Sequence, residues 1–332
     1  MTPPPDPLSG WPPFRARAPW FGGDLQTLRN TIMRDRADLD PWPGERLYFK
    51  ADNGDRLNGV LHPAPDKPKT LVTLIHGLTG CEDSAYVRAS ARFLLEAGNT
   101  VLRLNLRGAL PSRQDCRQMY HAGRSEDLAL VFDELANMGY GAAQLFAVGY
   151  SLGGNILLKY LAEAGEDSRV SRAVTISTPL DLSRVSRRLE APRNRLYHRW
   201  LLDRMKLDWR GGPLDLNTAQ MDALDRADSI RNFDDGVVAS SNGYADAEDY
   251  YARCAAGPRL GEVTIPTLLV HAEDDPWIPA DIYRRYAPSM PPEMALALTP
   301  GGGHVGFHGK TGRWHDHAIR RFFDGNVRAL DT

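Results

Sequence analysis

Leu145-Phe-Ala-Val-Gly-Tyr-Ser-Leu-Gly-Gly-Asn155 is the stretch from which the rest of the chain can be read. A short apolar run meets a serine flanked by glycines and leaves as a helical pattern through Leu152, Leu157, Leu158 and Leu161, which predicts a buried strand, a sharp turn at Ser151 and a helix. Gly149, Ser151 and Gly153 form Gly-x-Ser-x-Gly, a turn whose serine is held in a strained conformation with its hydroxyl lifted above the sheet. Gly149, Gly153 and Gly154 leave room for strand and helix to approach closely. The new helix aims free amides and a positive dipole end at the serine, so the Leu152 N–H is an expected donor to an oxyanion formed there. A glycine-rich turn can carry an incidental serine, because so short a pattern recurs by accident. The strand before it and the helix after it weigh against that reading.

Working outward, strand-like runs recur at Leu71 to Ile75, Thr100 to Leu104, Ala173 to Ile176, Leu268 to Val270 and Ala295 to Leu298. Helical patterns lie between most of them, near Ser84 to Ala97, Ser125 to Asn137, Asn155 to Ala164, Ala280 to Ala287 and Gly312 to Phe323. This alternation predicts a mostly parallel sheet with helices on both faces. Ahead of it, Leu47-Tyr-Phe and Leu57 to Leu61 flank Asp52-Asn-Gly54 and read as a hairpin. Four segments are expected: an N-terminal arm over residues 1–44, proline-rich at its start; a first core part over 45–178; a helical cap insertion over 179–262; and a second core part over 263–332. Trp11 and Phe14 of the arm are candidates to dock on the core. Within the cap, Arg184 to Lys206 is rich in arginine, with Leu196 and Trp200 at helical spacing. It reads either as an anion or membrane-surface patch or as the solvated face of an amphipathic helix, and the second is preferred.

At 332 residues, 42% hydrophobic and 25% charged, the chain can build one full catalytic core with an insertion. A net charge of −2 leaves no electrostatic footprint for nucleic acid, so a small molecule is the expected partner. Cys81, Cys116 and Cys254 lack metal-ligand spacing, and their odd number without an export signal reads as reduced thiols in the cytoplasm. No cofactor and no metal is expected. No apolar run reaches 18 residues, although peripheral membrane contact stays open.

A serine hydroxyl needs a base to take its proton, and the base needs a third group to orient it. Thr267-Leu-Leu-Val-His-Ala-Glu-Asp-Asp-Pro-Trp-Ile-Pro279 ends a strand in an acidic turn, which offers Asp274 or Asp275. Asp275 precedes Pro279 by four residues, a spacing frequent in α/β-hydrolases, and is preferred; Asp274 fits a solvated turn and helix cap. Gly301-Gly-Gly-His304 follows the last strand, and its glycines let the loop carry His304 back to Ser151 as general base. The order Ser, Asp, His is that of the α/β-hydrolase fold. A second oxyanion donor is expected from the Leu78 N–H in the loop after His76-Gly77. His62, His198, His308, His315 and His317 read as surface or cap residues, while His121 and His271 could reach the site without a motif to place them there.

Ten ordered segments make the chain resemble the YheT-like α/β-hydrolases from about Trp20 to the last helix. They are Leu25-Gln-Thr27, His76-Gly-Leu-Thr-Gly80, Asn105-Leu-Arg-Gly108, Tyr120-His-Ala-Gly123, Ser125-Glu-Asp127, Gly149-Tyr-Ser-Leu-Gly-Gly-Asn155, Phe233-Asp-Asp235, Asp246-Ala-Glu-Asp-Tyr-Tyr251, Asp274-Asp-Pro276 and Gly303-His-Val-Gly-Phe307. The chain departs from that family at Asp24, where a histidine is frequent, and at Trp277, where phenylalanine is usual. The resemblance implies an α/β-hydrolase fold and a serine hydrolase acting on carboxylic esters, and the helical cap read over 179–262 makes short- to medium-chain acyl esters the expected substrates. Carried over by motif, it implies a triad of Ser151, Asp275 and His304. An acyltransferase would use the same triad to deliver the acyl group to an alcohol. A noncatalytic binding protein on this scaffold is disfavoured by the intact Ser, Asp and His.

Overall fold

A computed structural model describes residues 11, 13–33, 36–64, 70–140 and 144–325. Within them the chain runs α1 (Gly23–Met33), β1 (Glu45–Lys50), β2 (Arg56–His62), β3 (Thr70–Ile75), α2 (Ala85–Glu96), β4 (Thr100–Asn105), α3 (Glu126–Asn137), β5 (Gln144–Tyr150), α4 (Leu152–Ala164) and β6 (Arg172–Ile176). A helical stretch follows: α5 (Leu182–Glu190), α6 (Arg195–Arg210), α7 (Thr218–Arg226), α8 (Ile230–Phe233) and α9 (Ala247–Cys254). The chain then returns through β7 (Thr267–Ala272), α10 (Ala280–Tyr286), β8 (Met294–Thr299), the short pair β9 (His308–Gly309) and β10 (Gly312–Arg313), and α11 (Trp314–Phe323).

Eight strands form one sheet in the order β1-β2-β4-β3-β5-β6-β7-β8. Pairing is antiparallel from β1 through β2 to β4 and parallel from there on. The central strands are Val- and Leu-rich and buried on both faces, as a parallel sheet covered on two sides requires. Alternation divides them: Leu71 and Ile75 of β3 enter the core shared with α3, α4 and the helical stretch, while Val72 and Leu74 enter the core against α2 and α11. This is the mostly parallel α/β architecture read from the strand and helix alternation.

Elsewhere the structure differs from the sequence reading. The amphipathic segment read from Arg184 to Lys206 is divided by Pro192 into α5 and α6, since proline cannot continue the helix it would interrupt. Leu196 is 84% exposed and does not line the cavity over Ser151. The last helix begins two residues after Gly312, which pairs with Gly309 instead. Helix α1 has no counterpart in the reading, because its burial pattern is inverted: Gly23 and Gln26 are buried, whereas Leu25, Ile32 and Met33 are exposed. Trp11 and Phe14 pack on the α11 side of the core, meeting Trp314 at a tilt and Phe307 edge-on at 5.8 Å and 6.1 Å between ring centroids. The proline-rich start of the arm lies outside the described residues up to residue 10. Among the described residues no helix is long and apolar enough to cross a membrane.

Candidate active site

Ser151, Asp275 and His304 all sit just beyond carboxyl ends of parallel strands, where such sheets present their loops. Ser151 joins β5 to α4 with φ 49° and ψ −120°, a left-handed conformation a serine adopts only under constraint. Part of the constraint is close packing: a Cβ on Gly153 would lie 2.3 Å from the His76 carbonyl oxygen, so the first turn of α4 can press on the end of β3 only with glycine there. The Ser151 hydroxyl donates to His304 Nε2 at 2.9 Å. His304 Nδ1 lies 2.9 Å from Asp275 Oδ2, and this contact fixes the proton on Nδ1 and leaves Nε2 free to accept.

Burial disfavours the Asp275 charge, but the facing His304 and the Ile278 N–H outweigh it and hold the carboxyl below the usual carboxylate range. Its Oδ1 accepts the Trp277 and Ile278 amides at 2.8 Å and 3.0 Å, so both oxygens are committed. The Trp277 ring stacks on His304 at 4.3 Å, and Tyr197 of α6 meets Trp277 edge-on. Trp277 thus forms a lid over the imidazole.

Asp274 is half-buried rather than solvated. Its Oδ1 accepts the Gly303 N–H at 2.8 Å, tying the acidic turn to the histidine loop. The other support of that loop is α1. Thr27 Oγ1 accepts the His304 N–H at 2.8 Å, and Gln26 Oε1 accepts the His308 N–H at 2.6 Å. A Cβ on Gly303 would sit 2.3 Å from the Gly23 carbonyl oxygen, and its φ of +60° also suits glycine. Leu25-Gln-Thr27 was legible as a motif; that it braces the histidine was not, because no local pattern joins residues 277 positions apart. Asp24 accepts from Arg193 and from the Tyr197 hydroxyl, linking α1 to α6.

On the other side of Ser151, the turn after β3 is held by phenols: the Gly77 and Thr79 amides donate to Tyr86 and Tyr120 at 2.9 Å and 2.8 Å. The Leu78 N–H between them is spent on neither. The Leu152 N–H opens α4, where intrahelical acceptors are lacking. His76 braces this turn as a neutral imidazole, pushed down to about 4 by burial, with Nδ1 donating to Gly77 O and Nε2 accepting the Leu106 amide.

Three of the histidines expected at the surface lie in the interior. His62, His308 and His315 are buried, not superficial. His62 lies between the Trp42 carbonyl and Arg103, His308 between Gln26 and Arg29, and His315 on the inward side of α11 against Tyr150 and Phe307. A histidine carries no apolar signature that would announce such burial. His317 is exposed, and His198 holds the start of α8 through the Ile230 amide. His271 stacks on Tyr283, with its Nδ1 3.9 Å from Asp275, while His121 lines a small side cavity. Among the described residues no group of three or more His, Cys, Asp or Glu side chains could hold a metal ion.

Above Ser151 opens a cavity of about 410 Å³. Its floor is Ser151, His304 and the Gly77–Gly80 turn, α1 contributes Thr27 and Asn30, and α5, α6 and α8 supply Leu182, Val185, Leu189, Leu201, Met205 and Ile230. Trp200 stands at its edge, 43% exposed.

Fold and site together define an α/β-hydrolase. The model of the alpha/beta hydrolase fold matches residues 70–311. YheT of Escherichia coli, which bears an esterase name, is 35% identical over 293 residues, covering 86% of this chain and 84% of its own. Phospholipase ABHD3 of Homo sapiens is 30% identical over 243 residues, 71% of this chain and 58% of the longer relative. Among solved structures, the Pyrococcus furiosus esterase Pf2001 matches with a TM-score of 0.62 at 14% identity, over 86% of this chain and 92% of that one, a likeness of fold. The chain belongs to the α/β-hydrolase family and, within it, to the YheT-like group of hydrolase enzymes.

Proposed function

We propose that the protein is a carboxylic ester hydrolase working through an acyl-enzyme on Ser151. The observation that carries this reading is the unbroken hydrogen-bonded series Ser151 Oγ, His304 and Asp275 beneath an apolar cavity. The serine oxygen attacks the ester carbonyl carbon as His304 Nε2 takes its proton, and Asp275 stabilises the imidazolium without itself being protonated. The carbonyl oxygen becomes an oxyanion facing the Leu78 and Leu152 amides, which act where charge develops. Collapse expels the alcohol, protonated by His304. Water then repeats the sequence on the acyl-enzyme and releases the carboxylic acid.

Residues 179–262 serve in this reading as a cap whose apolar side chains receive the acyl chain, so short- to medium-chain esters are the expected substrates. Relatives named esterase, phospholipase and monoacylglycerol lipase are consistent with ester chemistry. The setting is the cytoplasm.

A fluorophosphonate probe should label Ser151 and no other serine, as read by peptide mass mapping. Ser151→Ala should lose on the order of 10⁴-fold or more in kcat. Label on another serine, or hydrolysis undiminished in that variant, would overturn the assignment. Running the assay with added alcohols separates hydrolysis from acyl transfer.

A further inference from the structure

One buried carboxyl beside the cavity has no part in the chemistry just described. Asp234 is 8% exposed and lines the cavity above Ser151 among apolar neighbours that include Leu189, Met205 and Ile230. It begins a π-helical turn, Asp234–Ala239, that continues α8, a local geometry that recurs at functional sites. Its Oδ2 accepts from the Tyr251 hydroxyl at 2.7 Å, and Tyr251 is 3.2 Å from the Ser186 hydroxyl. Among the described residues Oδ1 receives no donor, and no lysine or arginine forms an ion pair with the group. A second cavity of about 30 Å³ shares Asp234, Leu78, Leu152, Met205 and Tyr250 with the first, so the carboxyl stands where the two adjoin, with room beside it for a hydroxyl group.

The second oxygen of Asp234, with no donor among the described residues, is not one of the walled-off unpaired atoms of the interior, so it stays reachable from the cavity as an acceptor for a bound group. Burial pushes Asp234 up to about 7, and the Tyr251 hydrogen bond only partly offsets it. Near neutrality either protonation state can pair with an uncharged hydroxyl, accepting its hydrogen bond as carboxylate or through the carbonyl oxygen of the acid.

We propose that Asp234 is the polar end of the substrate site, and that its free oxygen accepts a hydrogen bond from a hydroxyl carried by the ester substrate beyond an apolar stretch. The substrates so defined are hydroxylated esters, the hydroxyl lying on either the acyl chain or the alcohol. The inference rests on the ester-hydrolase reading above and narrows it.

Two matched series test it. In the first, p-nitrophenyl ω-hydroxyalkanoates are compared with alkanoates of the same graded lengths. In the second, acetate monoesters of α,ω-diols are compared with acetates of the matching n-alkanols, followed by pH-stat. In an apolar cavity a hydroxyl must be desolvated, so without Asp234 the alkyl ester wins at every length. With it, kcat/KM should favour the hydroxyl ester by roughly 10-fold or more at one length in one series, and that series identifies the side of the ester that carries the hydroxyl. Asp234→Leu should reverse the preference, while Asp234→Asn, which keeps an acceptor oxygen, should retain most of it. Alkyl esters preferred at every length in both series, with hydrolysis still abolished by Ser151→Ala, would overturn the inference and leave the nucleophile standing. This wild-type comparison decides even if Asp234→Leu does not fold. Failure to turn over either series, with Ser151 unlabelled by fluorophosphonate, would remove the nucleophile and this inference with it.

Discussion

In the proposed triad the Asp275 side chain does two jobs. One oxygen faces His304 while the other caps the Trp277 and Ile278 amides, so the carboxylate is held in place by the turn it belongs to. Asp274, one residue earlier, spends its carboxylate on the Gly303 amide instead. The two neighbours should therefore respond differently to the same change. Asp275→Asn offers His304 Nδ1 an amide that favours the wrong tautomer, with an expected kcat loss on the order of 10⁴-fold. Asp274→Asn retains a carbonyl oxygen for Gly303 and should stay within about 10-fold of the parent, a hydrogen bond to a neutral rather than a charged acceptor being the difference. Steady-state kinetics on a p-nitrophenyl ester checks this, and a reversed order of severity would make Asp274 the orienting acid.

Two elements hold the proposed triad, and they do so differently. Helix α4 supplies its own N-terminus to Ser151 and is anchored by Asn155, which bridges the Ala122 and Cys254 carbonyls and the Ala256 amide. Helix α1 supplies no reacting group under this reading; it braces His304 through Thr27 and through backbone contact at Gly303. Gly303→Ala should push α1 away from the histidine loop, since the new methyl has no space against the Gly23 carbonyl and the positive φ adds strain of about 1–3 kcal/mol. Thr27→Val leaves the His304 amide without its acceptor at a cost of about 1–3 kcal/mol. Both variants should lose kcat by at least roughly 10-fold while KM changes less, because misplacing a positioned base costs rate before affinity. Thermal unfolding measured alongside separates the two effects: full activity in a destabilised Thr27→Val protein would mean that α1 serves stability alone.

Across the whole molecule, buried neutral histidines couple stability to pH. Burial lowers His76 to about 4, His121 to about 3 and His271 to about 4 from 6.5, and pushes His62, His308 and His315 in the same direction. The unfolded chain takes up protons on these rings as pH falls below about 6.5 and the folded chain does not, so their contribution is full above that pH and drains toward about 4. Each fully shifted ring costs roughly 1.4 kcal/mol per pH unit in that window. Asp234, raised to about 7, and Asp316, raised by burial, act oppositely, binding protons in the folded state first. The histidines outnumber them, so Tm followed by circular dichroism should fall between about pH 7 and pH 5, and a flat or rising Tm would contradict the burial of these rings as neutral groups. The same rings mark the limit of what the chain tells by itself. Hydrophobic periodicity, glycine placement and the order of Ser151, Asp275 and His304 determined the sheet, the turn at Ser151 and the candidate triad, because strand burial and turn strain are written locally. The matched segments Asn105-Leu-Arg-Gly108 and Ser125-Glu-Asp127 were legible too, but that Arg107 joins Asp127 and Asp55 in one buried cluster came only from folding. The bracing of His304 by α1, the burial of His315 and the placing of Asp234 on the cavity wall were likewise decided by tertiary structure. Polar side chains reveal their environment through partners distant in sequence, and periodicity records only which face of an element is apolar.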